Sequence, residues 1–244
     1  FIDATSRSGL KPIFANLAII DYDRDGFLDV MGGSSIEGIG PGGVFRNHGN
    51  GNHWLRVELV GARSNRNGIG ARLFATSGEL RQMREILTGN GKVQSERGAH
   101  FGRGEHAEVG RLEVRWPSGQ VDVLTDIQAD QQIRVIEGRA AYHAIEPPRW
   151  QQAPPETLVA GTTPHLDLAV QPSLFEPGAE VTSVAVDLSE LGGPEVVPLQ
   201  AKSDGAYRLE PLALSIEGPN GLRTLSVLIN QNTSLGPYWT QMSR

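Results

Sequence analysis

"RLEVRWPSGQVDVLTDI", residues 111–127, carries the pattern on which the fold turns. Leu112, Val114 and Trp116 alternate with Glu113 and Arg115, which is the period of a strand with one buried face. Pro117, Ser118 and Gly119 supply turn chemistry, and Val121 and Val123 continue on a return strand. The stretch predicts an antiparallel hairpin with Trp116 in the core.

The same period recurs outward from this hairpin. In "HWLRVELV", residues 53–60, Leu55, Val57 and Leu59 share one face, with Trp54, Arg56 and Glu58 on the other. "ELRQMREILTGNG", residues 79–91, has helical propensity. Its Leu80, Gln82, Arg84 and Ile86 nevertheless fall at period 2 between glycines, and a strand is expected. "QQIRVIEG", 131–138, is another. Residues 141–164 carry five prolines and predict an extended linker. Beyond it "HLDLAV", "VTSVAVDLSEL", "AYRLEPL" and "LRTLSVLIN" resume the strand pattern and resemble an immunoglobulin-like sandwich. Four or five strands are legible there, short of the roughly seven of such a fold, which leaves open an incomplete domain. The expected class is all-β throughout.

Composition narrows the function. The chain has 244 residues, 20% of them charged, and a net charge of -6. Phosphate binding needs a basic footprint, so nucleic acid is not the expected partner. There is no cysteine, which rules out disulfides, thiolate metal sites and a cysteine nucleophile. No stretch approaches 18 apolar residues, so no transmembrane segment is expected. The first residue is Phe1 and no signal peptide is visible, so the chain reads as a mature or trimmed piece of something longer.

"DYDRDGFLDV", residues 21–30, places Asp21, Asp23, Asp25 and Asp29 in nine residues. The pattern D-x-D-x-D-G-x-x-D suits Ca²⁺, which takes six to eight hard oxygens. Asp21, Asp23, Asp25 and Asp29 are the candidate carboxylate ligands and Phe27 a candidate carbonyl ligand, with Gly26 making the sharp turn. An EF-hand has a bidentate Glu at its twelfth position, where this chain has Gly32, and the flanks read as strands. A calcium-loop hairpin is therefore expected. Arg24 is the one basic residue in the loop and does not balance four carboxylates. The competing reading is a solvated acidic turn without an ion.

"NHGNGNHWLRVELVGARSNRNGIGARL", "FGRG" and "VRWPSGQVDVLTDIQADQQIRVIEG", within residues 47–138, resemble the ASPIC/UnbV domain. The preceding "FANLAIIDYDRDGFLDVMGG" and "GGVFRNHGNGN" resemble the last blade of an FG-GAP/VCBS-type β-propeller of the kind that precedes this domain in proteins similar to cartilage acidic protein. Arg103 departs from the family, which more often has an apolar residue there. The resemblance implies an end blade at 1–46, an ASPIC/UnbV-like sandwich at 47–140, a Pro-rich linker at 141–162 and an immunoglobulin-like domain at 163–244. It also implies export, to the periplasm or outside the cell, and it implies no catalytic activity.

Other residues point to chemistry less strongly. His100 and His106 lie near Glu105 and Glu108, which at a hairpin end are most simply polar surface. "NGIGAR" lacks the spacing of a phosphate loop, and there is no G-x-S-x-G. Trp150 and Trp239 are candidates for a surface contact or for packing between domains. Asn232-Thr233-Ser234 is a formal glycosylation sequon. The expected function is a non-enzymatic, exported, calcium-binding module for adhesion or assembly through protein or polysaccharide contacts. The alternatives are a scaffold subunit of a larger periplasmic or membrane-associated complex, and an accessory part of a carbohydrate-active enzyme whose active site lies in further propeller blades.

Overall fold

The computed structural model describes residues 16–33, 43–89, 98–159, 165–210, 212–214 and 221–243. Residues 1–15 and 34–42 of the expected end blade, 160–162 of the expected linker and 163–164 of the expected immunoglobulin-like domain lie outside them. The chain is all-β, with several separate sheets, and among the described residues there is no closed barrel and no helix of seven or more residues. It divides into two units, Phe1–Ala144 and Ile145–Arg244. No helix among the described residues is long and apolar enough to cross a membrane.

In the first unit, β1 (Asn16–Ile20), β2 (Asp29–Gly33) and β3 (Gly43–Phe45) form a three-stranded antiparallel sheet. The aspartate loop is the β1–β2 connection. Eight further strands follow. They are β4 (His53–Val60), β5 (Arg72–Ser77), β6 (Leu80–Glu85), β7 (Ala99–Gly104), β8 (Glu108–Arg115), β9 (Val121–Gln128), β10 (Gln131–Ile136) and β11 (Tyr142–Ala144). They build two sheets, ordered β11-β10-β4-β7 and β6-β5-β8-β9. Leu55, Val57, Phe101, Ile133 and Val135 from the first meet Leu73, Ala75, Leu112, Val114 and Leu124 from the second in one buried core. Each such fully buried aliphatic or aromatic side chain contributes about 1.5–3 kcal/mol over leaving it exposed.

The expected strand at Leu80 is present as β6, and the alternation of β4 is as read, with Leu55, Val57 and Leu59 inward. The hairpin of β8 and β9 also forms as expected, with Val121 and Val123 on the return strand, and the pairing decides which way that strand faces. Val114 pairs with Asp122 and Glu113 with Val123. Val121 and Val123 therefore point outward, while Asp122 and Leu124 are buried. The physical reason is the indole: Trp116 Nε1 donates to Asp122 Oδ2 at 2.7 Å, a bond the buried N–H needs. One pairing carries no local signature at all. β10 runs parallel to β4, Gln131 opposite Leu55 through Ile136 opposite Val60, which requires the long crossover that β5 to β9 supply.

The second unit has β12 (Arg149–Gln152), β13 (His165–Leu166), β14 (Ala169–Gln171), β15 (Glu180–Asp187), β16 (Val197–Pro198), β17 (Gln200–Ala201), β18 (Tyr207–Arg208), β19 (Leu212–Ala213), β20 (Ser226–Thr233) and β21 (Gly236–Ser243). They form sheets β12-β14-β18-β17, β13-β19 and β16-β15-β20-β21. Leu166, Leu168, Val170, Val186, Leu188, Val227 and Ile229 fill the core between them. "HLDLAV" is thus two strands in two sheets, and several strands are only two residues long, too short to show a period. The stretch 141–162, read as a linker, carries β11 in the first unit and β12 in the second, and Trp150 packs against the second core.

Candidate functional site

The aspartate loop closes because the backbone bends the wrong way twice. Arg24 has φ +61° and Gly26 φ +90°, left-handed conformations that turn the chain back on itself. The curl brings backbone N–H groups onto the carboxylates. Asp25 N and Gly26 N donate to Asp21 Oδ1 and Oδ2 at 3.1 and 3.0 Å. Tyr22 N and Asn47 N donate to Asp29 Oδ2 and Oδ1 at 3.1 and 2.7 Å. Asp21 is 5% exposed and Asp29 0%.

Oxygens of Asp21, Asp23 and Asp29 all lie within 4.8 Å of one another. Two ligands on opposite sides of one Ca²⁺, each at 2.3–2.6 Å, stand about 4.6–5.2 Å apart, so three oxygens this close fit around a single ion. The donor set is hard oxygen only, as Ca²⁺ prefers. Asp25 stands outside this trio. Its Oδ1 accepts from Phe27 N at 2.9 Å and its Oδ2 from Arg46 Nη2 at 3.2 Å. The Phe27 ring packs on Gly49, where an added Cβ would stand 2.6 Å from it.

Arg46 changes the charge balance expected from the loop alone. Its Nε lies 2.6 Å from Asp23 Oδ2, and its guanidinium pKa is raised chiefly by the charge of Asp23. Arg46 is 21 residues beyond Asp25, outside the reach of a local motif. Two of the four carboxylates thus share a cation already present in the chain. Such an exposed pair is worth little by itself. Among the described residues no basic side chain forms an ion pair with Asp21 or Asp29.

The loop leans on β4 and β7. His100 Nε2–H donates to the Gly26 carbonyl at 2.9 Å, and its ring stacks with Trp54, centroids 6.2 Å apart. Burial lowers the His100 pKa, which keeps the ring neutral and its Nε2–H committed to Gly26. A Cβ added at Gly26 would fall 1.9 Å from Trp54 Cε2. Gly26→Ala is therefore expected to cost about 1–3 kcal/mol, from the left-handed φ and the displaced indole together. Urea unfolding followed by tryptophan emission measures it, and an unchanged midpoint with unchanged emission would show that the loop does not rest on Trp54.

His100 and His106 do not assemble with Glu105 and Glu108: the aspartate trio is the one cluster of potential metal ligands among the described residues. His53 is paired elsewhere, its Nδ1 2.6 Å from Asp130 Oδ2.

A second polar constellation was not anticipated at all. Glu137 is buried and accepts three backbone N–H groups, Ala62, Arg63 and Ser64, on Oε2 at 2.7–2.8 Å. The hydroxyls of Ser64 and Ser118 donate to Oε1. Burial pushes the Glu137 carboxyl up, but the bonds from Ser118, Ser64 and Arg63 outweigh it and hold it at about 2. The glycine-rich loop at 61–70, the hairpin turn at 117–119 and the end of β10 are thereby tied at one carboxylate. This arrangement presents no open face to a ligand and reads as a clamp on loop geometry. Arg103 is buried too. Its Nη1 donates to Gln82 Oε1 at 3.0 Å, its Nε and Nη2 have no hydrogen-bond partner among the described residues, and burial lowers its pKa.

Residues 61–141 match the family model described as ASPIC and UnbV. The matched span contains the Glu137 clamp, Trp116 and Arg103. The aspartate loop and the second unit lie outside it. No curated protein matches the chain.

Proposed function

We propose that the chain is a calcium-stabilised, non-enzymatic contact module, exported from the cell and used in adhesion or assembly. The observation that carries the calcium reading is the convergence of Asp23 with two buried carboxylates, Asp21 and Asp29, that no basic side chain pairs among the described residues. Buried charge is costly unless paired or bound to a metal. Ca²⁺ held by Asp21, Asp23 and Asp29, with Phe27 offering a carbonyl, would pin the β1–β2 hairpin closed. Asp25, engaged by Arg46 and Phe27 N–H, would then serve the loop's shape.

The reading of β1–β3 as a propeller end blade draws support from its apolar character on both faces. Leu17 and Ile19 are exposed on one face, Met31 and Val44 on the other. A sheet apolar on both sides is the kind that stacks between two others. That feature also favours the reading of the chain as a scaffold within a larger assembly. The second unit is read as an immunoglobulin-like sandwich on its strand pattern and shared core.

Calcium titrated into chelator-treated protein is expected to release or absorb heat with saturation, and to raise the melting temperature. An ion present at 100 times its Kd and bound only to the folded state adds about 2.7 kcal/mol. Asp29→Ala should abolish both signals, because that carboxylate is fully buried and one of only three in the cluster. Absence of both heat and melting shift in the unaltered protein would defeat the calcium reading.

A further inference from the structure

The outward face of the sheet β16-β15-β20-β21 carries no basic side chain on the paired residues of β15, β20 and β21. Three rungs cross β15, β20 and β21 in unbroken register, and a fourth, Glu180, Asn232 and Pro237, lies beyond a bulge. The first is Ser183, Asn230 and Trp239. The second is Ala185, Leu228 and Gln241, and the third is Asp187, Ser226 and Ser243. Asp187 is the single charge in all three, and no basic side chain stands among them. Trp239 is 61% exposed, and Leu228 is exposed one rung away.

The first unit solves its solvent face differently. There Arg111 and Arg115 both pair with Glu113, at 2.5 and 2.6 Å, and Arg115 lies over the Phe74 ring. A salt-bridged face repels nothing in particular and stays wet. The outward face of β15, β20 and β21 instead presents chiefly amides, hydroxyls and an exposed indole.

Polar groups on this face are held in place. Asn230 Nδ2 donates to Ser183 Oγ at 3.0 Å, and Ser226 Oγ stands 3.4 Å from Ser243 Oγ. A cleft of about 220 Å³ adjoins the second rung, lined by Asp187, Glu195, Val196, Leu228 and Gln241. That is below the roughly 300–1,000 Å³ of small-molecule pockets. It suits one ring or substituent, with the remainder of a ligand lying along the open sheet. Successive rungs are about 6.4–6.8 Å apart, two residues of strand rise, so an extended ligand meets them in series.

We propose that this face binds a neutral polysaccharide. A sugar ring offers an apolar C–H face that packs on an exposed indole, and its hydroxyls both donate and accept, as do the amides and hydroxyls here. A protein partner would call for an apolar and aromatic centre, where this face has mostly amides and hydroxyls. An anionic polymer would call for Lys or Arg, which the rungs lack, and would meet Asp187 and Glu195. The face has no basic side chain, its acids Glu180 and Asp187 stand at opposite ends of the rungs, and the residues between them are uncharged, as is the ligand. The proposal rests on the reading of the chain as a contact module and names its partner class.

The test is native affinity electrophoresis of the 244-residue chain in gels containing hydroxyethylcellulose, xylan, galactomannan or dextran, with polygalacturonate as the anionic comparison. Retardation is expected in at least one neutral gel and not in polygalacturonate. Trp239→Ala should require at least tenfold more polysaccharide for the same retardation. Val123→Ala, on the exposed face of the first unit, should change nothing. Because Trp239 is largely exposed, its replacement leaves the core intact, and an unchanged melting temperature verifies this. EDTA should leave the retardation in place, since the calcium loop belongs to the other unit, so the two readings succeed or fail separately. No retardation in any of the four neutral gels overturns the proposal, as does retardation undiminished in Trp239→Ala. A dimer in size-exclusion chromatography that Trp239→Ala dissociates would assign the face to a second copy and overturn it as well.

Discussion

Trp116→Ala is expected to lower stability by about 3–5 kcal/mol, the range of large aromatic truncations in cores. The indole is 4% exposed and belongs to the core between the two sheets of the first unit. It also satisfies polar groups. Its Nε1 donates to Asp122 Oδ2, the same oxygen that accepts Gly138 N at 2.8 Å, while Gln120 Nε2 donates to Asp122 Oδ1 at 2.9 Å. Removing the ring opens a cavity and deprives a buried carboxylate of one of its donors, and both effects destabilise. The urea midpoint of the first unit's transition reads the loss. Trp116→Phe separates the two contributions, because it keeps most of the packing and loses the bond. A midpoint unmoved in Trp116→Ala would mean that the ring is not part of the core.

Glu137→Gln is expected to cost about 2–4 kcal/mol at pH 7. Hydrogen bonds to a charged acceptor are worth about 1.5–3 kcal/mol, and the carboxylate takes five donors where an amide offers one oxygen and a competing NH₂. Partial access of water at the 62–64 loop keeps the total well below five such bonds. The dependence on pH has a definite sign. The folded carboxyl titrates at about 2 instead of the ordinary 4.5. Its contribution is therefore present above about pH 4.5 and is lost as pH falls from there toward 2. The gap between the two proteins should narrow over that window, as the wild-type side chain itself becomes neutral. Denaturation of both proteins at pH 7 and pH 3 measures it. An equal gap at the two pH values would mean that the charge of Glu137 does not matter to the fold.

Much of the candidate site could be read from the chain. The Asp21–Asp29 spacing is a local pattern, and the backbone curl that realises it depends on Gly26 a few residues away. The trio Asp21, Asp23 and Asp29 meets as that spacing implies. What the spacing does not contain is Arg46, which reaches Asp23 and Asp25 from just beyond the end of β3. It also does not contain His100 and Trp54, which brace the loop from β7 and β4. Glu137 is the clearest case. "VIEG" looks like the end of a strand with a solvated acid, yet its donors lie 19 and 73–75 residues back.

For the fold, alternation of apolar and polar residues was enough to place β4, β6, β8 and β20, because strand period and turn chemistry act between near neighbours and are written in them. Such alternation also determined the all-β class. Which strand lies beside which was decided elsewhere. The parallel pairing of β10 with β4, the inward turn of Asp122 and the two-residue strands of the second unit depend on partners that come together only when the sheets close. β21 is the same kind of case: nothing in "GPYWTQMS" says that it pairs along its whole length with β20 and sets Trp239 beside Asn230. Local periodicity tells which face of a strand is apolar. Only the satisfied hydrogen bonds and filled volume of the assembled sandwich select, among many strands with such faces, the register in which they meet.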